Sequence, residues 1–293
     1  LSRIEQRMTR SLVIGINGTI GAALFSYLKS NGNVAWGTSR RASIHDPQII
    51  PFNFTDPTSL QTLPPDFDTA YVCAGICRMA LCEDDPVSSR QINITGTLQL
   101  LERMTKQGTF IVYLSTNQVF AGTTPWMACD AAQNPINEYG RQKAEVEQWL
   151  QTNCSHYAIV RLTKVVEPQM ALIAGWIAQL QRGETLSAFT DMPLAPVSLR
   201  QVIELLEIIG RNKHTGIYHI SGSEDMSYFE VACYLAQQLH CSTHLVQPAQ
   251  AIEHGIKKIF LPQFTSLNCS STINIAAFKP PAVSDVIHEC FTI

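Results

Sequence analysis

A tyrosine and a lysine stand four residues apart in Tyr139-Gly140-Arg141-Gln142-Lys143, at the head of an amphipathic run. On a helix this spacing stacks the two side chains on one face. A phenol titrates near ~10 and trades no proton easily at neutral pH unless its phenolate is stabilised. An ammonium one turn away favours that charged form, which makes the pair a candidate general acid or base. The spacing is weak by itself, because Tyr and Lys also meet this way on exposed helices. What lies upstream decides.

Upstream, the apolar run Ser11-Leu12-Val13-Ile14 leads straight into Gly15-Ile16-Asn17-Gly18-Thr19-Ile20-Gly21. A helical pattern follows, with Ala22, Leu24, Phe25 and Leu28 on one face and Asn31-Gly32 ending it. Strand, glycine turn and helix in this order read as a dinucleotide-binding turn, here GxxGxxG. Gly15 permits the tight turn, Gly18 lets the backbone approach a pyrophosphate at the helix N-terminus, and Gly21 lets helix and strand lie close. The next strand, from Asn33, ends in Ser39-Arg40-Arg41, and no acidic residue occurs between Glu5 and Asp46. A carboxylate here would select NAD through the ribose 2′-hydroxyl, whereas arginines suit a 2′-phosphate, so NADP(H) is favoured over NAD(H).

The elements that must position these groups alternate strand and helix. Ile49 to Phe54 predicts a third strand, Asp56-Pro57 opens a short helix, and Thr69 to Gly75 predicts a fourth strand running into small residues. A single long helix is expected from Pro86 to Lys106, with Ile92, Ile94, Leu98 and Leu101 inward and Asn93 as a structural brace. Phe110 to Leu114 is apolar throughout, as a strand between two helix layers should be, and it delivers Ser115, Thr116, Asn117 and Gln118. Tyr157 to Leu162 is the sixth strand. This alternation predicts an α/β fold of Rossmann type, a doubly wound parallel sheet whose ligands bind at the carboxyl ends of the strands. A hydroxyl from Ser115 or Thr116 would meet the Tyr139 helix there.

The rhythm breaks near 165, predicting a dinucleotide-binding domain over 8–165 and a smaller, mixed α/β substrate-binding region over 166–293. In the latter, Leu172, Ile173, Trp176 and Leu180 mark a helix over 171–182, and Val202, Leu205, Leu206 and Ile209 another over 197–209. A third spans Ser227 to Leu239, opened by a Ser227/Glu230 capping box. His219 reads as a packed core histidine, and the stretch from Cys241 onward carries no motif.

The 293 residues are 45% hydrophobic and 15% charged, enough to bury a sizeable core. A net charge of -3 with no basic run excludes a nucleic-acid surface. No stretch reaches the ~18 apolar residues of a membrane span and no signal-peptide pattern opens the chain, which points to the cytoplasm. Met8 reads as the start, with a polar leader before it. The nine cysteines lack CxxC spacing, and although Cys73, Cys77 and Cys82 cluster, they read as buried reduced thiols with no metal site.

Together these residues resemble the extended short-chain dehydrogenase/reductases, and more closely the dTDP-4-dehydrorhamnose reductase-like group. The resemblance rests on Gly15, Gly18 and Gly21, on Ser115-Thr116-Asn117-Gln118-Val119-Phe120-Ala121-Gly122, and on Tyr139-Gly140-Arg141-Gln142-Lys143-Ala144-Glu145-Val146-Glu147. Phe189 to Val197 and Gly216 to Gly222 are similar to its D-x-x-x-x-P-T loop and G-x-Y-H-L-x-G strand. It implies Thr116, Tyr139 and Lys143 as the catalytic set, acting on a nucleotide-activated keto sugar in deoxysugar and surface polysaccharide synthesis. Cofactor contacts would come from Gly15, Asn17, Gly18, Thr19, Ile20, Gly21, Ser39, Arg40, Arg41, Asn53, Phe54, Cys73, Ala74, Gly75, Tyr139 and Lys143. Substrate contacts would come from Ser115, Gln118, Arg161 and Lys164, with Arg182 and Arg200 as further cations.

Where the reductases have Asp-Tyr after the threonine, this chain has Asn117-Gln118. An amide transfers no proton near pH 7, which speaks against dehydration and leaves simple ketone reduction intact. Two alternatives stay open. One is nucleotide-sugar epimerisation; the other is a non-catalytic NADP-binding regulatory subunit, which the altered pair permits. Helices flanking such a sheet make dimers in this superfamily, so a homodimer is compatible with the sequence.

Overall fold

The structure, a computed structural model, describes residues 9–40, 46–168 and 170–291; Met8 and Arg41 lie outside them. The strands are Arg10–Ile14 (β1), Val34–Ser39 (β2), Ile49–Pro51 (β3), Thr69–Val72 (β4), Phe110–Thr116 (β5) and Tyr157–Leu162 (β6). Short later strands follow: Val165–Val166 (β7), Leu186–Phe189 (β8), Pro193–Leu194 (β9), Val197–Ser198 (β10), Gly216–Ile220 (β11), Met226–Ser227 (β12) and Val246–Ala249 (β13). The helices are Thr19–Ser30 (α1), Thr58–Thr62 (α2), Met79–Asp84 (α3), Pro86–Arg90 (α4), Thr97–Lys106 (α5) and Glu138–Asn153 (α6). Beyond them come Ala171–Gln181 (α7), Leu199–Arg211 (α8), Tyr228–Gln238 (α9), Ser270–Ile275 (α10) and Val283–Phe291 (α11).

The central sheet is parallel and seven-stranded, in the order β11-β6-β5-β4-β1-β2-β3, with helices flanking it. Every residue of β5 is buried, as its unbroken apolar run requires. Strand order reverses between β1 and β4, whose register pairs Leu12 with Ala70 and Ile14 with Val72. That reversal is the switch point at which open α/β sheets leave a crevice.

The chain groups into two compact units. Among the described residues, the first holds those up to Ser115, Arg141–Val160 and Ile203–Ile217; the second holds Thr116–Gly140, Arg161–Val202 and those from Tyr218 onward. The first unit's core joins Leu12, Ile14, Leu100, Leu101, Met104, Ile111, Val146 and Ile159 from the sheet and its helices. The second's joins Ile173, Trp176, Leu180, Val231, Leu235, Val286 and Ile287. Its α9 opens with the expected capping box, Ser227 accepting from the Glu230 amide and Glu230 accepting from the Ser227 amide.

Three expectations need correction. The helix expected over 86–106 is broken: α4 and α5 are separated by a π-helical turn, Gln91–Gly96. Wide turns of this kind leave the regular ladder unfilled, and here the Thr97 hydroxyl donates to the Ile92 carbonyl at 3.0 Å. The third strand stops at Pro51, because the Asn53 side chain accepts from the Thr55 amide at 3.2 Å and turns the chain. On α7, Leu172 points outward, 43% exposed, while Ile173, Trp176 and Leu180 are buried. Among the described residues no helix is long and apolar enough to cross a membrane.

Candidate active site

The glycine turn leaves β1 with Gly15 at φ +92°, a backbone conformation that costs a side chain dearly. Its amide donates to the Thr38 hydroxyl at 3.0 Å, which ties the turn to the end of β2. A Cβ on Gly21 would lie 2.2 Å from the Gly15 carbonyl oxygen, so α1 packs against the turn only because Gly21 has none. A Cβ on Gly18 would instead meet only the Gly15 oxygen at 3.8 Å. Gly18 is the N-cap of α1, and no side chain caps that helix start. The first turn of α1 therefore opens its amides and the positive end of its dipole to whatever occupies that space.

A cavity of about 350 Å³ lies at this point in the first unit. Its lining brings together ten of the residues expected to hold a cofactor: Gly15, Asn17, Gly18, Ser39, Arg40, Asn53, Phe54, Cys73, Ala74 and Gly75. Thr19, Ile20 and Gly21 belong to α1 behind the turn and are not among the lining residues. Ile14, Thr38, Phe52, Ile76, Cys77 and Ile92 also line it and were not anticipated. Burial pushes the Cys73 thiol up to about 12, so it faces the cavity as a neutral group at neutral pH.

The wall after β4 is held from the π-helical turn. Asn93 accepts from the Ile76 amide at 2.7 Å and donates to the Ile76 carbonyl at 3.0 Å, clamping one residue at both backbone groups. It also donates to Gln142 of α6 at 2.7 Å, and Gln142 donates to Ser89 at 2.8 Å. Asn93 is thus a brace, as expected, and the wide turn is what aims its amide at the cavity wall.

Tyr139 and Lys143 stand at i and i+4 of α6, both buried. The Lys143 ammonium donates to the Leu114 carbonyl at 2.8 Å and sits 4.5 Å from the centroid of the Tyr113 ring. Burial pulls its pKa below the ordinary lysine value, against the opposing pull of Cys77, Glu147, Cys73 and Cys82. Cys73 and Cys77 are both cavity residues. Thr116, the last residue of β5, accepts from the Gln118 amide at 3.2 Å and donates to Asn117 at 3.3 Å. Gln118 accepts from Asn137 at 2.8 Å, and Asn137 in turn accepts from the Gly140 amide at 2.9 Å. Asn137 therefore caps α6 and fixes the residue that replaces the family's tyrosine. An Asn immediately before the amphipathic run was a signal available in the sequence.

Two residues expected to touch substrate are engaged elsewhere. Ser115 donates to Glu147, a fully buried carboxylate one turn beyond Lys143 on α6. Arg161 is 1% exposed; it donates to the Cys129 carbonyl at 3.1 Å and stands 3.2 Å from His219 Nε2 and 5.0 Å from the Phe120 ring centroid. A strand residue of a buried sheet points into a protein layer, which is why its charge is met internally. Lys164 stays at the surface, with its pKa lowered by partial desolvation. Arg182 pairs with Glu184 at 2.7 Å and Arg200 with Glu289 at 2.9 Å, both exposed. Among the described residues, no group of three His, Cys, Asp or Glu could hold a metal, and all nine cysteines are free thiols.

Comparison with known proteins places this architecture among relatives. The chain is 26% identical over 253 residues to the methionine adenosyltransferase 2 subunit beta of Xenopus tropicalis, covering 80% of this chain and 74% of that protein. It is 26% identical over 158 residues to the dTDP-4-dehydrorhamnose reductase of Salmonella typhimurium, covering 51% and 52%. In fold it is similar to the dTDP-4-dehydrorhamnose reductase of Bacillus anthracis in complex with NADP, at TM-score 0.82 and 19% identity over 97% of this chain and 99% of that one. It is also similar to MoeE5 in complex with UDP-glucuronic acid and NAD, at TM-score 0.80 and 17% identity over 96% and 97%. The model of the RmlD substrate binding domain matches residues 9–293, and the chain belongs to that family.

Proposed function

We propose that this chain is an NADPH-dependent reductase of a nucleotide-activated keto sugar, working in the cytoplasm in deoxysugar and surface polysaccharide synthesis. The observation that carries it is the buried Lys143 one helical turn from Tyr139 on α6, in a chain whose glycine turn opens on a cavity lined by ten of the residues expected to hold a dinucleotide. A dinucleotide fits the residues present. The uncapped start of α1 suits a pyrophosphate, Gly18 leaves the room for it, and Arg40 in the lining suits a 2′-phosphate. The chemistry such a cofactor supplies when bound is hydride.

In this reading Tyr139 donates its phenolic proton to the keto oxygen and Thr116 donates a hydrogen bond to that same oxygen. The Thr116 hydroxyl accepts from the Gln118 amide and gives its proton to Asn117 at 3.3 Å; in this reading the long bond to Asn117 is exchanged for one to the keto oxygen. Lys143 stabilises the phenolate left behind and binds the nicotinamide ribose. Gln118, held by Asn137, contributes orientation and transfers no proton.

Thermal-shift titration with NADPH, NADH and a panel of keto-sugar nucleotides tests this reading, followed by NADPH oxidation with whatever stabilises. Tyr139→Phe should lower turnover by ~10²–10⁴ while leaving NADPH affinity within about threefold. Absence of any stabilisation by either cofactor sinks the reading.

A second reading is favoured by one observation. The relatives named as methionine adenosyltransferase beta subunits align over far more of the chain than the named reductase, 80% against 51%. The chain would then bind its dinucleotide as a non-catalytic partner of another enzyme. Co-elution with a methionine adenosyltransferase catalytic chain, together with no oxidation of NADPH by any keto sugar, selects this reading over the first.

A further inference from the structure

Glu147 is fully buried, and no reaction step assigned so far uses it. It lies four residues beyond Lys143 on α6, which is itself four beyond Tyr139, so the three share one helix face. Across from it, Ser115 of β5 donates its hydroxyl to the Glu147 carboxylate. The neighbouring Leu114 carbonyl accepts from Lys143 at 2.8 Å, so consecutive residues of one strand engage consecutive turns of one helix. A carboxylate with no exposure stays ionised only when hydrogen bonds and an opposite charge offset its lost hydration. The same holds for the buried Lys143 ammonium. Its other electrostatic neighbours, Cys77, Cys73 and Cys82 on the segment after β4, are thiols, and Tyr113 presents a ring face. Glu147 brings a carboxylate to the groups acting on Lys143.

We propose that Glu147, oriented by Ser115, is a positioning residue whose carboxylate is the counter-charge of the Lys143 ammonium. It acts through Lys143 and touches neither substrate nor cofactor. Burial drives Lys143 towards the neutral amine, which can neither stabilise a phenolate nor bind a ribose as a cation, and Glu147 opposes that drive. The assignment rests on the reductase reading for its purpose, but the charge coupling itself is measurable without turnover.

The test is an NMR titration of isotopically labelled lysine side chains in the full chain without cofactor, with Lys143 assigned by its loss in Lys143→Arg. Glu147→Gln should lower the Lys143 titration midpoint by about one pH unit or more, and Glu147→Asp should restore part of the shift. If Glu147→Gln does not fold, Ser115→Ala decides, with a smaller shift in the same direction expected. An unmoved midpoint in the folded variants overturns the proposal. Where the wild type oxidises NADPH, the alkaline limb of its pH–rate profile should move to lower pH with the same midpoint. A shifted midpoint in a chain that turns over no keto sugar leaves the coupling standing and removes the reductase reading alone.

Discussion

At the scale of single residues, the chemistry lies in charges kept where water does not reach. Lys143 and Glu147 are buried on one face of α6, whereas Arg40 lines the cavity from an exposed position. Arg40→Asp should therefore fold normally, weaken NADPH binding by about tenfold or more, and leave NADH binding unchanged or improved. Fluorescence titration with both cofactors checks it; equal losses for the two would remove the 2′-phosphate from the argument. Residue types were legible here, since a glycine turn, two arginines and a Tyr–Lys pair are local patterns. Partners were not. Arg161 reads as a substrate cation in the sequence because its strand ends near the cleft, yet its guanidinium is satisfied by the Cys129 carbonyl and His219, residues 32 and 58 positions away.

At the scale of elements, glycine steric limits and the π-helical turn set the cavity's shape. Gly21→Ala would force a Cβ to 2.2 Å from the Gly15 oxygen. It should cost about 1–3 kcal/mol and weaken dinucleotide binding. Gly175→Ala, inside α7 where an added Cβ would meet no neighbour within 4 Å beyond the adjoining residues and the helix's own backbone, should stabilise by about 0.5–1 kcal/mol. Opposite signs in thermal or urea unfolding are the outcome to look for. Asn93→Ala removes both contacts to the Ile76 backbone and should cost about 1–3 kcal/mol, with cofactor affinity falling further because the freed loop is the cavity wall. Unchanged affinity in a stable Asn93→Ala would mean that the wall holds its shape without the clamp. The sequence predicts one continuous helix over 86–106 because Ile94 and Leu101 keep helical spacing. The extra residue in the wide turn is fixed by Asn93 reaching Ile76, a contact that no local pattern encodes.

At the scale of the whole molecule, one contribution to pH stability comes from a group far in sequence from the glycine turn. His219 is fully buried, donates from Nδ1 to the Asn268 carbonyl at 3.0 Å and faces Arg161. Burial first, then the Arg161 charge, lowers its pKa from 6.5 to about 3. The unfolded chain therefore binds a proton that the folded one refuses between about pH 6.5 and about 3. The stability from this group is complete above the unfolded value and lost as pH falls through that window, with a slope of up to about 1.4 kcal/mol per pH unit. His219→Gln should flatten the fall in chemical-denaturation midpoints between those limits, and an equally steep fall in the variant would assign it to other groups.

The sequence by itself determined the alternating α/β order, the glycine turn after the first strand and the Tyr139–Lys143 pair. These depend on hydrophobic period, turn chemistry and helical spacing, all of which act over a few residues. The tertiary structure alone decided that Ser115 serves Glu147, that Arg161 is interior, that Asn93 clamps Ile76, and that each compact unit is drawn from three separate stretches of chain. Those outcomes follow from which buried polar groups find partners across long stretches of chain, and only the assembled core fixes that pairing.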